Sequence, residues 1–268
     1  MKNTKLGCII RILLLTGMTY GLMLGFAIIG YVFSQGFPGA EEDAIMEVFG
    51  NSGLLFAVLI VCAVVRKRTG VRVRDAVKLR NFDFMLVIML TLAGWSLGET
   101  CDHVTGVLLS NFMSIEPDVT EIGSIWAIIS AVICAPIFEE LICRFGFMGL
   151  LKESFGKVFT IIFSTIIFAV MHTYNIQNTT NVIVGTLLVA YVYYQTGNIL
   201  YTMCEHCLHN ALCFVPFGSF SLFGVDFYYE KNGFILDGWP WFLINVIILG
   251  ISMTWIILYF KNQKNRVK

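Results

Sequence analysis

Residues 124–151 read SIWAIISAVICAPIFEELICRFGFMGLL. The stretch is long and apolar enough to cross a bilayer, since a spanning helix needs roughly 20 apolar residues. Yet Glu139, Glu140 and Arg144 sit well inside it. Charges at that depth are costly, so they face a bundle interior or a cavity and pair with one another. This run places the chain in a membrane and marks its polar residues as candidate functional groups.

Composition agrees. Of 268 residues, 57% are hydrophobic and 13% charged, against about 45–50% apolar and about 25% charged in an ordinary soluble domain. The mean hydropathy is +0.78. A disordered chain, a collagenous chain and a water-soluble globule are all excluded. Lys+Arg 18 against Asp+Glu 18 leaves no basic field, so no nucleic-acid partner is expected. Most of the eight cysteines lie in apolar runs, unlike a secreted disulfide framework. Cys204-x-x-Cys207 falls within such a run and is read as packing rather than redox chemistry.

Apolar runs recur at about 12–34, 50–65, 84–104, 124–151, 158–178, 180–195, 198–216 and 238–260. They predict an all-α, polytopic membrane protein of about eight transmembrane helices. Residues 1–268 then form a single integral membrane domain. The first run is too long for a signal peptide and is kept as a span. Lys2, Lys5 and Arg11, the base-rich loop 66–83, Lys152 and Lys157, and the tail 261–268 alternate with the acidic loops 35–49 and 114–121. Basic loops face the cytoplasm. Eight spans in the cell membrane, with both termini cytoplasmic, satisfy the whole pattern. Glu99, Asp102 and His103 are expected to end the third span, with the rest of 98–113 lying as an interfacial helix. The aromatic loop 217–237 is expected at the membrane surface.

Three polar clusters carry the chemistry. In the first, Glu140 and Arg144 are four residues apart on a helix and can pair. Glu139 is turned about 100° away and lacks that partner, as suits a general base. Pro136 removes one helical hydrogen bond beside them. The second is Phe168-x-x-x-His172 in the fifth span. The third is Glu205-His206-Cys207-Leu208-His209-Asn210 in the seventh, where His206 and Asn210 share a face. Each cluster alone also suits a structural polar contact between helices. Glu205 and His209 are read as structural partners. The three clusters are expected at one depth, near the bilayer midplane, which favours one site.

Together they form a hydrolase inventory. In a zinc-assisted version, His172 and His206 hold Zn²⁺, Glu139 takes a proton from the bound water, and Asn210 donates to the developing oxyanion. A third ligand would come from Glu140, Glu205, His209 or water. In a metal-free version, Glu139 and His172 activate water while His206 and Asn210 hold the oxyanion. The soluble zincin motif H-E-x-x-H is absent.

Glu139-Glu140-x-x-x-Arg144, Phe168-x-x-x-His172 and His206-x-x-x-Asn210 resemble the three signatures of the CAAX protease and bacteriocin-processing family, related to type II CAAX prenyl endopeptidases. Ala135-Pro136 and Thr196-Gly197-Asn198 fit the flanking pattern. Cys143 departs from it, standing where an aromatic commonly precedes the arginine. The resemblance implies a catalytic core over 124–216, covering spans four to seven. It implies an intramembrane endopeptidase with Glu139 as base. Its partners would be the lipid bilayer and a peptide or protein substrate, prenylated or bacteriocin-like. A transporter would show polar clusters in both halves, and here they lie in spans four to seven only. A non-catalytic immunity or partner protein on the same fold is the remaining alternative.

Overall fold

The computed structural model describes residues 4–37, 39–80, 82–116, 124–172, 175–215 and 220–266. Nine helical segments occur among them. They are α1 (Lys5–Ser34), α2 (Ala40–Thr69), α3 (Val73–Ala76), α4 (Phe84–Leu109), α5 (Ile125–Lys152), α6 (Lys157–Val170), α7 (Ile176–Thr196), α8 (Ile199–Cys213) and α9 (Trp239–Arg266). Five helices among the described residues, α1, α2, α4, α5 and α9, are long and apolar enough to cross a membrane. The protein is an all-α membrane protein. The other three expected spans correspond to helices that are short, as α6 is, or interrupted by polar residues, as α7 and α8 are.

The chain divides into two compact units. The first comprises residues 1–82, 121–164 and 192–210. Within it α1 and α2 pack along their length. Gly30 sits where a Cβ would come within 2.8 Å of Phe49, so only glycine allows that approach. Phe26 stacks on Phe56 at 5.3 Å. Thr4 caps α1 by accepting from Gly7 N at 3.1 Å. α2 carries Glu41, Glu42 and Asp43 in its first turn and Arg66, Lys67 and Arg68 in its last. Both sets complement the helix dipole. Val58, Val61 and Val65 of α2 are buried, as are Phe145, Met148 and Leu151 of α5. Asn198 closes the connection into α8, exchanging two hydrogen bonds with the backbone of Lys78 at 3.0 and 3.1 Å.

The second unit comprises residues 83–120, 165–191 and 211–268. Here α4 packs on α9. Two small antiparallel hairpins precede α9: β1 (Ser221–Leu222) with β2 (Val225–Asp226), and β3 (Tyr228–Lys231) with β4 (Phe234–Asp237). The aromatic-rich stretch expected to be a surface loop is therefore partly strand, though residues 216–219 lie outside the described residues. Its second hairpin turns at Asn232-Gly233, both in the left-handed region at φ 54° and 83°. That is the type I′ geometry that an Asn-Gly pair favours.

The third span also departs from expectation. Glu99, Asp102 and His103 do not end it, and α4 runs unbroken to Leu109. Each polar side chain meets a partner within its own unit. Glu99 accepts from Tyr228 Oη at 2.7 Å and from Trp241 Nε1 at 3.3 Å. Asp102 accepts from Asn181 Nδ2 at 2.7 Å, and His103 Nδ1 accepts from the Asp237 backbone N–H at 3.2 Å. Gln177 ties the same helix to β4, donating to Asp102 O at 2.9 Å and accepting from Ile235 N at 3.0 Å. These bonds offset the cost of burying the groups, and the helix continues.

Candidate active site

The first unit assembles five of the six expected site residues, Glu139, Glu140, Arg144, His206 and Asn210, around an irregular stretch of α5. That helix is α-helical at Ala135–Glu140 but π-helical at Ser130–Cys134 and Leu141–Met148. Ala135 N–H bonds to Ser130 O, five residues back. The next donor in that register would be residue 136, a proline with no N–H. Ala131 O is thereby left without its backbone partner, and Asn210 Nδ2 of α8 donates to it at 2.8 Å. The expected effect of Pro136 thus takes the form of a π-bulge bridged by a side chain. Such bulges are frequent at functional sites.

Glu140 and Arg144 are each 1% exposed, and Arg144 Nε lies 3.2 Å from Glu140 Oε2. Arg144 Nη1 also donates to Ser164 Oγ of α6 at 3.3 Å. Ser164 was not singled out by sequence. A serine in an apolar helix has no periodicity to betray it, and only tertiary packing shows its partner.

His206 sits between the two glutamates. Its Nδ1 is 3.4 Å from Glu140 Oε1 and its Nε2 is 3.8 Å from Glu139 Oε2. The His206 and Glu139 side chains keep 15% and 18% exposure, whereas Glu140 has almost none. The two carboxylates therefore differ in task. Glu140 is committed to the arginine. Glu139 stays reachable by a small molecule. Glu205 and His209 come within 3.8 Å of each other, one turn apart, as the structural reading expected.

His172 belongs to the second unit. Sequence placed it inside a span, but α6 ends at Val170 and His172 lies just beyond it. Its Nδ1 lies 2.8 Å from Phe168 O, and its ring stacks on Phe168 at 4.4 Å. A histidine side chain commonly serves the last carbonyls of a helix in this way. With Nδ1–H donating to that carbonyl, the ring's lone pair is on Nε2.

A catalytic zinc site needs three protein donors and a place for water. Among the described residues, no three His, Cys, Asp or Glu side chains gather into a set that could hold a metal ion. Within the first unit both nitrogens of His206 face glutamates, and Glu140 is spent on Arg144. Among the described residues the zinc-assisted version therefore finds no donor set.

No curated protein and no solved structure matches the chain. Residues 121–212 match the family model described as Type II CAAX prenyl endopeptidase Rce1-like. The matched segment holds all three motifs, with Glu139, Glu140, Arg144, His172, His206 and Asn210 inside it. Over residues 121–212 the chain is thus similar, in motifs and in family-model match, to the Rce1-like type II CAAX prenyl endopeptidases.

Proposed function

We propose that the chain is an intramembrane endopeptidase that cleaves membrane-associated or leader-type peptides with water activated by Glu139. The observation that carries this reading is the division of labour between adjacent glutamates. Arg144 neutralises the buried Glu140, while Glu139 keeps its exposure beside His206. A carboxylate so placed can take a proton from water as it attacks a peptide carbonyl, then pass it to the leaving amine. Glu140 fixes the Nδ1 side of His206 and turns Nε2 towards Glu139, where an Nε2–H can donate to the developing oxyanion. Asn210 spends one amide hydrogen on Ala131 O and has a second to offer. His172 enters the reading through the family motif, as a second group acting on the water.

The substrate class follows the family: a prenylated C-terminus, or a bacteriocin-like leader. The base-rich loops support a location in the cell membrane with both ends of this chain cytoplasmic.

The test compares peptide termini in the membrane and secreted fractions of cells making wild type or Glu139→Gln protein at matched expression. Termini that appear only with wild type support proteolysis and identify the substrate. Identical profiles, with any cellular phenotype retained by Glu139→Gln, would overturn the reading in favour of a non-catalytic partner protein.

A further inference from the structure

A cavity of about 50 Å³ lies at the base-rich end of the first unit, between the start of α1, the end of α2 and the end of α5. It exceeds the roughly 10–15 Å³ that a single water occupies. Arg11 and Arg68 line it with Thr4, Ser154 and Glu153. Nη2 of Arg11 is buried and has no hydrogen-bond partner among the described residues. A buried donor without an acceptor is costly, and a charged one more so. Glu153 is exposed, and no ion pair links it to either arginine among the described residues. Two guanidiniums and one carboxylate therefore line the cavity, leaving an excess of positive charge. The N-terminus of α1 adds the positive end of a helix dipole. Thr4 accepts a bond from Gly7 N and still has its hydroxyl hydrogen to donate.

Depth narrows the ligand. α1, α2 and α5 are all apolar enough to cross a membrane, and it is their charged ends that meet here. Such ends lie at the level of lipid headgroups. The planar fork of arginine suits the paired oxygens of a phosphate better than a chloride ion.

We propose that this cavity binds a phosphate group, supplied by an anionic phospholipid headgroup or by free phosphate. Arg11 and Arg68 clamp it, and Thr4 is the neutral donor. The site ties the ends of three helices together, away from Glu139 in sequence and in task.

The test uses the full chain in vesicles of phosphatidylcholine alone, of phosphatidylcholine with phosphatidylglycerol, and of phosphatidylcholine with inorganic phosphate at constant ionic strength. Tm is measured in each, and native mass spectrometry counts retained lipid. Wild type should be stabilised by one of the two phosphate sources. Arg11→Gln and Arg68→Gln should weaken that retention by at least about tenfold. Lys67→Gln, an equal charge loss at an exposed neighbour that does not line the cavity, should leave it unchanged. Arg68 is exposed, so its variant keeps the test open should Arg11→Gln fail to fold. Stabilisation in the phosphatidylglycerol arm alone identifies a headgroup site, and in both arms a site for free phosphate as well. Equal behaviour of wild type, Arg68→Gln and Lys67→Gln in all three arms would overturn the proposal and leave only water in the cavity.

Discussion

Two groups of carboxylates in this chain, each at least half-buried, are partnered in opposite ways. In the first unit, Glu140 meets a full positive charge at Arg144, with His206 on its other side. In the second, Glu99 and Asp102 accept from the neutral donors Tyr228, Trp241 and Asn181. Asp237 joins the second group through the electrostatic push of both acids. Burial first, and those neighbouring carboxylates second, drive its pKa well above the aspartate range, to about 8. The difference teaches what each arrangement is for. An ion pair satisfies one carboxylate and leaves its neighbour reachable, as the proposed general base requires. A cluster served by neutral donors pins the β3–β4 hairpin to its helices.

Glu139→Gln tests the first half of that contrast most sharply. Loss of the base should lower cleavage by about 10²–10⁴-fold while leaving the fold intact. Paired activity and thermal-unfolding measurements check both parts, and full cleavage by the variant would remove Glu139 from the role. Arg144→Ala should cost about 3–5 kcal/mol of stability, because it strands Glu140 in the interior. Unfolding of the detergent-solubilised protein reads this out. A milder loss would mean that His206 alone can hold Glu140. Tyr228→Phe probes the second arrangement by taking from the half-buried Glu99 the donor at 2.7 Å. The expected cost is about 1–3 kcal/mol, with peptide cleavage altered less than in Glu139→Gln. Ser164→Ala removes one acceptor from Arg144 but leaves Glu140 in place, so about 1 kcal/mol is expected.

The pH dependence separates the two groups qualitatively. Asp237 carries a raised folded pKa, so between about pH 4, the ordinary aspartate value, and its folded value of about 8 the native state holds a proton that the unfolded chain has lost. Its stabilising contribution is complete at low pH and declines as pH rises through that window. Asp237→Asn should flatten the decline. An unchanged slope in the variant would show that the hairpin cluster does not titrate as a unit with Asp237.

Several elements were legible as sequence because they depend on short-range patterns. Apolar runs located every long helix, although α2 begins at Ala40 rather than near residue 50. Four-residue spacing paired Glu140 with Arg144, and the structure brings Glu205 and His209 together at the same spacing. The Asn232-Gly233 hairpin is equally local, and its turn chemistry is written in that pair, although an aromatic-rich stretch also fits a loop at the membrane surface.

By itself, then, the sequence determined that this is a helical membrane protein with carboxylates, imidazoles and an arginine at the spacings of a hydrolase family. Hydrophobic periodicity and i,i+4 geometry act over a few residues, so they are written along the chain. Tertiary structure alone decided that α4 runs through Glu99 and Asp102, that Ser164 completes the Arg144 contacts, and that Asn210 bridges the bulge left by Pro136. Each of those outcomes depends on partners from distant segments, and a buried polar group is tolerated or rejected only when they arrive.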